Sequence, residues 1–89
     1  MALISGQVAV STSAVLVHRA DGDGARVSVH NDGGGAGHPV YLGPAGVTVS
    51  TGLHLAATEG HEHLRLEAGE ALYAIASNAV SVSFLSFQG

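Results

Sequence analysis

The chemistry-bearing residues of this 89-residue chain are six histidines, seven carboxylates and a scatter of serines, with no cysteine and no lysine. The densest group is His61-Glu62-His63, followed by Glu67. On an extended strand His61, His63, Arg65 and Glu67 differ by even numbers, so they share one face, while Leu64 and Leu66 turn to the core. Two imidazoles and a carboxylate on one face form a donor set for a transition metal. The competing expectation is a solvated strand edge with its polar side chains outward, and it is the one adopted. No metal or other cofactor is expected.

The other motifs each lack a named residue. The spacing His61-x-His63-x3-Glu67 resembles part of the first motif of the cupins, which hold a metal inside a β-barrel. That resemblance covers seven residues, and the further downstream histidine it implies is missing, because none follows His63. Asp21-Gly22-Asp23-Gly24 looks like the middle of a calcium loop. The flanking positions that would have to supply ligands hold Arg19 and His30, so the segment reads as a turn. Asp32-Gly-Gly-Gly-Ala-Gly37 is not followed by the Lys-Ser/Thr of a phosphate cradle or by a helix. No serine sits in a Gly-x-Ser-x-Gly elbow, and the carboxylates fall mostly in turns. The chain is therefore expected not to be an enzyme.

Composition narrows the partners. Charged residues make up 11% of the chain, against roughly 25% in an ordinary domain. Few charges are left to solvate the surface, so other protein surfaces are expected to cover part of it. Three arginines (Arg19, Arg26, Arg65) and a net charge of −4 cannot track phosphates or hold an anionic membrane, so neither nucleic acid nor membrane is an expected partner. Without cysteines a domain this small has no disulfide staples, which leaves self-association as the common route to added stability. No signal peptide or membrane span is read, and synthesis in the cytoplasm is expected.

These residues must be positioned by strands. The apolar period is two nearly everywhere, and no window has the cap and 3.6-residue stripe of a helix. Eight strands are expected at 3–10, 14–20, 25–31, 39–43, 47–51, 63–67, 71–77 and 80–87, separated by Gly, Asp and Asn turns. The fold class is all-β: one domain over residues 1–89, an antiparallel sandwich or small barrel, jelly-roll-like, with residues 1–7 as first strand or N-terminal arm. A hairpin at Asp21–Gly24 is expected to pair Val17 with Val27 and Val15 with Val29, which keeps Arg19 from facing Arg26. Val8-Ala-Val-Ser-Thr12 and Val47-Thr-Val-Ser-Thr51 form a short internal echo. Tyr41 and Tyr73 lie mid-strand among aliphatics and are read as core or interface rather than as a ligand platform.

The order Val27-x-Val-x-Asn31, Pro39-Val-Tyr-Leu-Gly43, Val47-Thr, Gly52-Leu-x-Leu55, Leu66-x-x-Gly69-Glu-x-Leu-Tyr-Ala-Ile-Ala76 and Val80-x-Val-x-Phe84 resembles the small β-structured virion proteins of tailed bacteriophages, including capsid decoration proteins. The resemblance runs over about two thirds of the chain and rests on strand-and-turn patterns. It implies a non-enzymatic part of the capsid surface, often a homotrimer, that clamps adjacent major capsid subunits. Leu3, Ile4, His38, Tyr41 and Leu53 are the expected contact residues. The alternatives are a tail or head-fibre module, a carbohydrate-binding module and a cupin-like metal protein. Six histidines against seven carboxylates also predict that assembly weakens near pH 5–6 if His38, His61 or His63 lies in an interface.

Overall fold

In β3, Ala25-Arg-Val-Ser-Val-His-Asn31, every second residue is buried, and this alternation builds the molecule. The computed structural model describes residues 2–22, 24–33, 38–56 and 59–88, apart from the side chains of residues 2, 61–63 and 88. The strands are β1 (Ala2–Val10), β2 (Val15–Arg19), β3 (Ala25–Asn31), β4 (Val40–Gly43), β5 (Leu53–Leu55), β6 (Gly60–Leu66), β7 (Ala71–Ala76) and β8 (Val80–Gln88). No helix occurs among the described residues.

The strands form two antiparallel sheets, sheet A in the order β1-β8-β3-β6 and sheet B in the order β2-β7-β4-β5. The first strand pairs with the last, the second with the seventh, the third with the sixth and the fourth with the fifth. The chain is thus one long antiparallel ribbon with its tip at β4–β5, wrapped so that alternate segments fall in opposite sheets. This is the eight-stranded jelly roll, in its sandwich form rather than as a closed barrel. Val10, Val27, Val29, Val40, Val82 and Leu55 are fully buried between the sheets, so the core is aliphatic and drawn from both layers.

Backbone bonds carry the ribbon through each crossing. At the first corner Ala76 N donates to Ser11 O at 2.9 Å. At the second, Ala20 N donates to Glu70 O at 2.8 Å, and Asp21 O accepts from both Gly24 N and Gly69 N. At the third, Asn31 N donates to Glu59 O at 2.8 Å. The fully buried Asn31 side chain completes that corner. Its Nδ2 donates to the carbonyls of His38 (2.9 Å) and Leu55 (3.1 Å), and its Oδ1 accepts from Gly33 N (2.8 Å). One amide therefore joins β3 in sheet A to β5 in sheet B.

Four sequence expectations change. The Val15–Val29 hairpin does not form: β2 pairs with β7, and β3 with β6 and β8. Val17 and Val27 still share the core, but from opposite sheets. The Asp21–Gly24 segment is a corner tied to residue 69, and Gly24 takes φ +81 where a Cβ would stand 2.8 Å from Leu66 O. Residues 47–51 are not a strand. Thr48 and Thr51 hydroxyls bond to each other and accept from the Ser50 and Thr48 amides, and Thr48 O accepts from the Thr51 and Gly52 amides. Local side-chain bonding displaces the ladder there, and the strand forms at Leu53–Leu55 instead. The echo between 8–12 and 47–51 accordingly joins a strand end to a turn and marks no structural repeat. Finally, of the two readings of the N-terminal segment, residues 2–7 follow the first-strand one, within β1.

Replacing Asn31 by Ala leaves two carbonyls and one amide without their partner, so it should lower unfolding stability by about 3 kcal/mol. Asn31→Asp should cost a similar amount, because it removes both donors; urea denaturation followed by circular dichroism measures each. Gly52→Ala should cost about 1–3 kcal/mol, since the new methyl would sit 2.6 Å from Tyr41 Cβ and 2.8 Å from Val47.

Candidate functional site

Two surfaces carry features beyond those the fold needs. The first is the outward face of sheet B. On β7 the buried residues Leu72, Ala74 and Ala76 alternate with half-buried Ala71, Tyr73 and Ile75. Directly opposite residues on paired strands share a face. Leu16 lies across from Tyr73, Tyr73 from Gly43, Ile75 from Tyr41, and Tyr41 from His54. Both tyrosines of the chain therefore face outward, and Tyr41 meets the His54 ring edge-on at 5.4 Å. No Asp, Glu or Lys stands among these positions, and Arg19 lies at the rim, where it bonds Gly69 O. Val47 folds back against Gly43 and Gly52 beside Tyr41 and is buried apart from the main core.

The second surface is a depression of about 420 Å³ on sheet A, lined by Ser28, Val29, His30, Gly60, Ser83, Phe84 and Leu85. Asp32 stands beside it. Ser83 Oγ donates to Asp32 Oδ2, and His30 Nδ1 lies 2.7 Å from Asp32 Oδ1. These bonds, that from Ser83 first, hold the Asp32 carboxyl below its usual value. The carboxylate sits between serine and histidine. Nucleophilic activation needs the imidazole between the other two, so this order does not build a hydrolytic relay. It fixes an anion and the orientation of an imidazole.

The expected contact residues fall in separate places. Leu3 and Ile4 are exposed on β1, at one lateral edge of sheet A. Leu53 is exposed on β5, the edge of sheet B at the far side of the sandwich. Tyr41 lies on the outward face of sheet B, and His38 is half-buried just before β4, its carbonyl held by Asn31. Sequence reasoning did not single out Leu16, Ile75 or His54 as neighbours of Tyr41. Ala71-Leu-Tyr-Ala-Ile-Ala76 is apolar on both faces, so its alternation does not say which face is inside. In the cluster of His30, Asp32 and Ser83, the serine lies 51 positions from Asp32, and no local spacing announces it.

For the His61/His63/Glu67 set, the even spacing is broken by a register shift opposite Val27–Val29: residue 64 pairs with Val27 and residue 61 with Val29. Glu67 follows the end of the strand and forms an exposed ion pair with Arg65 at 3.6 Å. Among the described residues no three His, Cys, Asp or Glu side chains converge on a metal position. The side chains of His61 and His63 lie outside the described residues.

His18 sits where β2 shifts register, with Nε2 3.0 Å from the buried Ser86 hydroxyl and its ring 5.4 Å from Phe84. Loss of hydration lowers its pKa from 6.5, opposed by the Asp21 charge. A histidine lowered on folding contributes stability in full above 6.5, and that contribution is lost as pH falls through the lower folded value. Asp32, lowered from 3.8, contributes in full above 3.8 and loses this as pH falls further. Denaturation across pH should thus show two losses. His18→Gln should remove the first and Ser83→Ala should weaken the second; a single unchanged slope in both variants would contradict this assignment. No protein-family model matches the chain, and no curated protein sequence matches it.

Proposed function

We propose that this chain is a non-enzymatic structural protein of a tailed-phage virion, a capsid decoration protein that seats on the outer capsid surface and bridges neighbouring major capsid subunits. The observation that carries the reading is the charge-free outward face of sheet B, centred on Tyr41, Tyr73, Ile75 and Leu16. Burying it desolvates no carboxylate or ammonium group, while aromatic side chains provide large contact area. A fold alone assigns no function, so the resemblance of the strand-and-turn pattern to virion proteins supplies the choice of partner. A small contact repeated over a capsid lattice adds resistance to expansion and heat by multiplicity.

A tail or head-fibre location uses the same face against a different partner, and electron microscopy of labelled particles separates the two. A carbohydrate-binding reading is favoured by one specific feature, the outward Tyr41 beside His54. Glycan-array binding that disappears in Tyr41→Ala would select it over the capsid reading.

The capsid reading predicts co-sedimentation with capsids of the phage that carries the gene. Tyr41→Ala/Tyr73→Ala should weaken that binding by on the order of tenfold or more. Leu85→Ser, on the opposite sheet, should leave it unchanged. Absence of binding by the unmodified chain would overturn the proposal.

A further inference from the structure

A two-sheet sandwich has four edge strands, here β1 and β6 in sheet A and β2 and β5 in sheet B. An edge exposes a row of backbone N–H and C=O groups that can template another strand. Proteins blunt such edges with charge, proline, bulges or shortness. Three of these four edges are blunted. β5 has only three residues. β2 shifts register between Leu16 and His18 and ends on Arg19. β6 shifts register opposite Val27–Val29 and carries Glu62 and Arg65.

β1 has none of these devices. It runs nine residues, Ala2-Leu-Ile-Ser-Gly-Gln-Val-Ala-Val10, with no charge and no proline. Its register with β8 is unbroken from Ala2–Gln88 to Val10–Val80. Among the described residues, none of the backbone bonds outside the ladders involves β1. Leu3 and Ile4, two of the most exposed aliphatic side chains, lie on it, 63% and 41% accessible.

The sequence of this edge is complementary to itself. Gly6 is the central residue of the nine. An antiparallel copy related by a two-fold axis through Gly6 sets Leu3 opposite Ala9, Ile4 opposite Val8 and Ser5 opposite Gln7. Every pair is uncharged and joins residues of one face. At the axis glycine faces glycine, so no cross-strand side-chain pair has to be packed there. The hydrogen side of Gly6 that would carry a Cβ is already filled by the Phe84 ring, at 2.9 Å, which supports the strand from within.

We propose that β1 is a self-association edge, and that two copies of the chain join β1 to β1 in antiparallel register about Gly6, fusing their A sheets into one continuous eight-stranded sheet. Such an isologous contact closes on itself and caps both open edges, so it yields a dimer and not a fibre. A dimer replaces the trimer that the virion resemblance implied. The pairing concerns contact between copies and does not rest on the capsid reading.

Analytical ultracentrifugation at tens of micromolar protein should give twice the chain mass. Ser5→Lys/Gln7→Lys sets like charges across the axis at two exposed positions and should return the mass to that of one chain. Ser5→Lys/Gln7→Glu sets opposite charges there and should restore the dimer, with a dependence on salt that the unmodified chain lacks. The restored dimer excludes simple misfolding as the cause of the first result. Because the chain has no cysteine, Ser5→Cys/Gln7→Cys should give a disulfide-linked dimer on mild oxidation. A monomer at all concentrations, a trimer, or a dimer indifferent to both charge variants would overturn the pairing. Capsid binding by a monomeric chain would overturn it and leave the capsid reading standing.

Discussion

The antiparallel ribbon stays hydrogen-bonded through each of its three corners, and that continuity sets the position of both sheets. Long-range pairing of β1 with β8 joins the two ends of the chain. Each further pair lies inside the one before it, down to the β4–β5 tip. A sheet-to-sheet crossing would ordinarily strand backbone groups in transit. Here Ser11 O, Glu70 O and Glu59 O each receive an amide from the antiparallel segment beside them, so these crossing carbonyls are satisfied. Asn31 is the most demanding of these joints. Its amide is buried, and it reaches both sheets with three good bonds, which makes it a specifying contact as well as a stabilising one.

Because the core is made of valine, leucine and alanine packed from both layers, recognition is left to the surface. The two outward faces differ in kind. Sheet B presents tyrosines and aliphatics on a flat ladder, with the Val47 loop folded onto one end. Sheet A presents serines, His30 and the Asp32 carboxylate around a shallow depression, with Leu85 and Phe87 towards the β1 side. On sheet A, Arg26 also stands directly opposite Arg65, an unfavourable pair that the neighbouring Glu67 carboxylate offsets. A partner that must avoid desolvating charge meets a lower cost on sheet B.

The edges divide the molecule a second time. Bulges in β2 and β6 twist those strands away from flat pairing, and the bulge in β2 also turns His18 towards Ser86 and Phe84. One irregularity thus protects an edge and half-buries an imidazole, which favours its neutral form. β1 remains straight and uncharged beside them. The chain thus leaves one long uncharged edge, β1, and one outward face without carboxylates, that of sheet B.

Alternation in the sequence was enough to identify an all-β chain, seven of its eight strands to within a few residues, and a core of small aliphatics. A period of two needs only neighbouring residues to be read. The missing ligands of a metal or calcium motif and the missing Lys-Ser/Thr of a phosphate motif were legible for the same reason, since those motifs are local. The sequence did not reveal which sheet each strand joins. Val17 and Val27 satisfy a flat hairpin and a sandwich equally well, and only the corner bonds to residues 69 and 70 select the second. Nor did it separate inside from outside in β7, where both faces are apolar, so the shared outward direction of Tyr41 and Tyr73 is a product of sheet packing. Pattern along the chain determined what the elements are; pairing across up to 86 positions of separation, from Ala2 to Gln88, decided which of their faces meet each other and which stay outward.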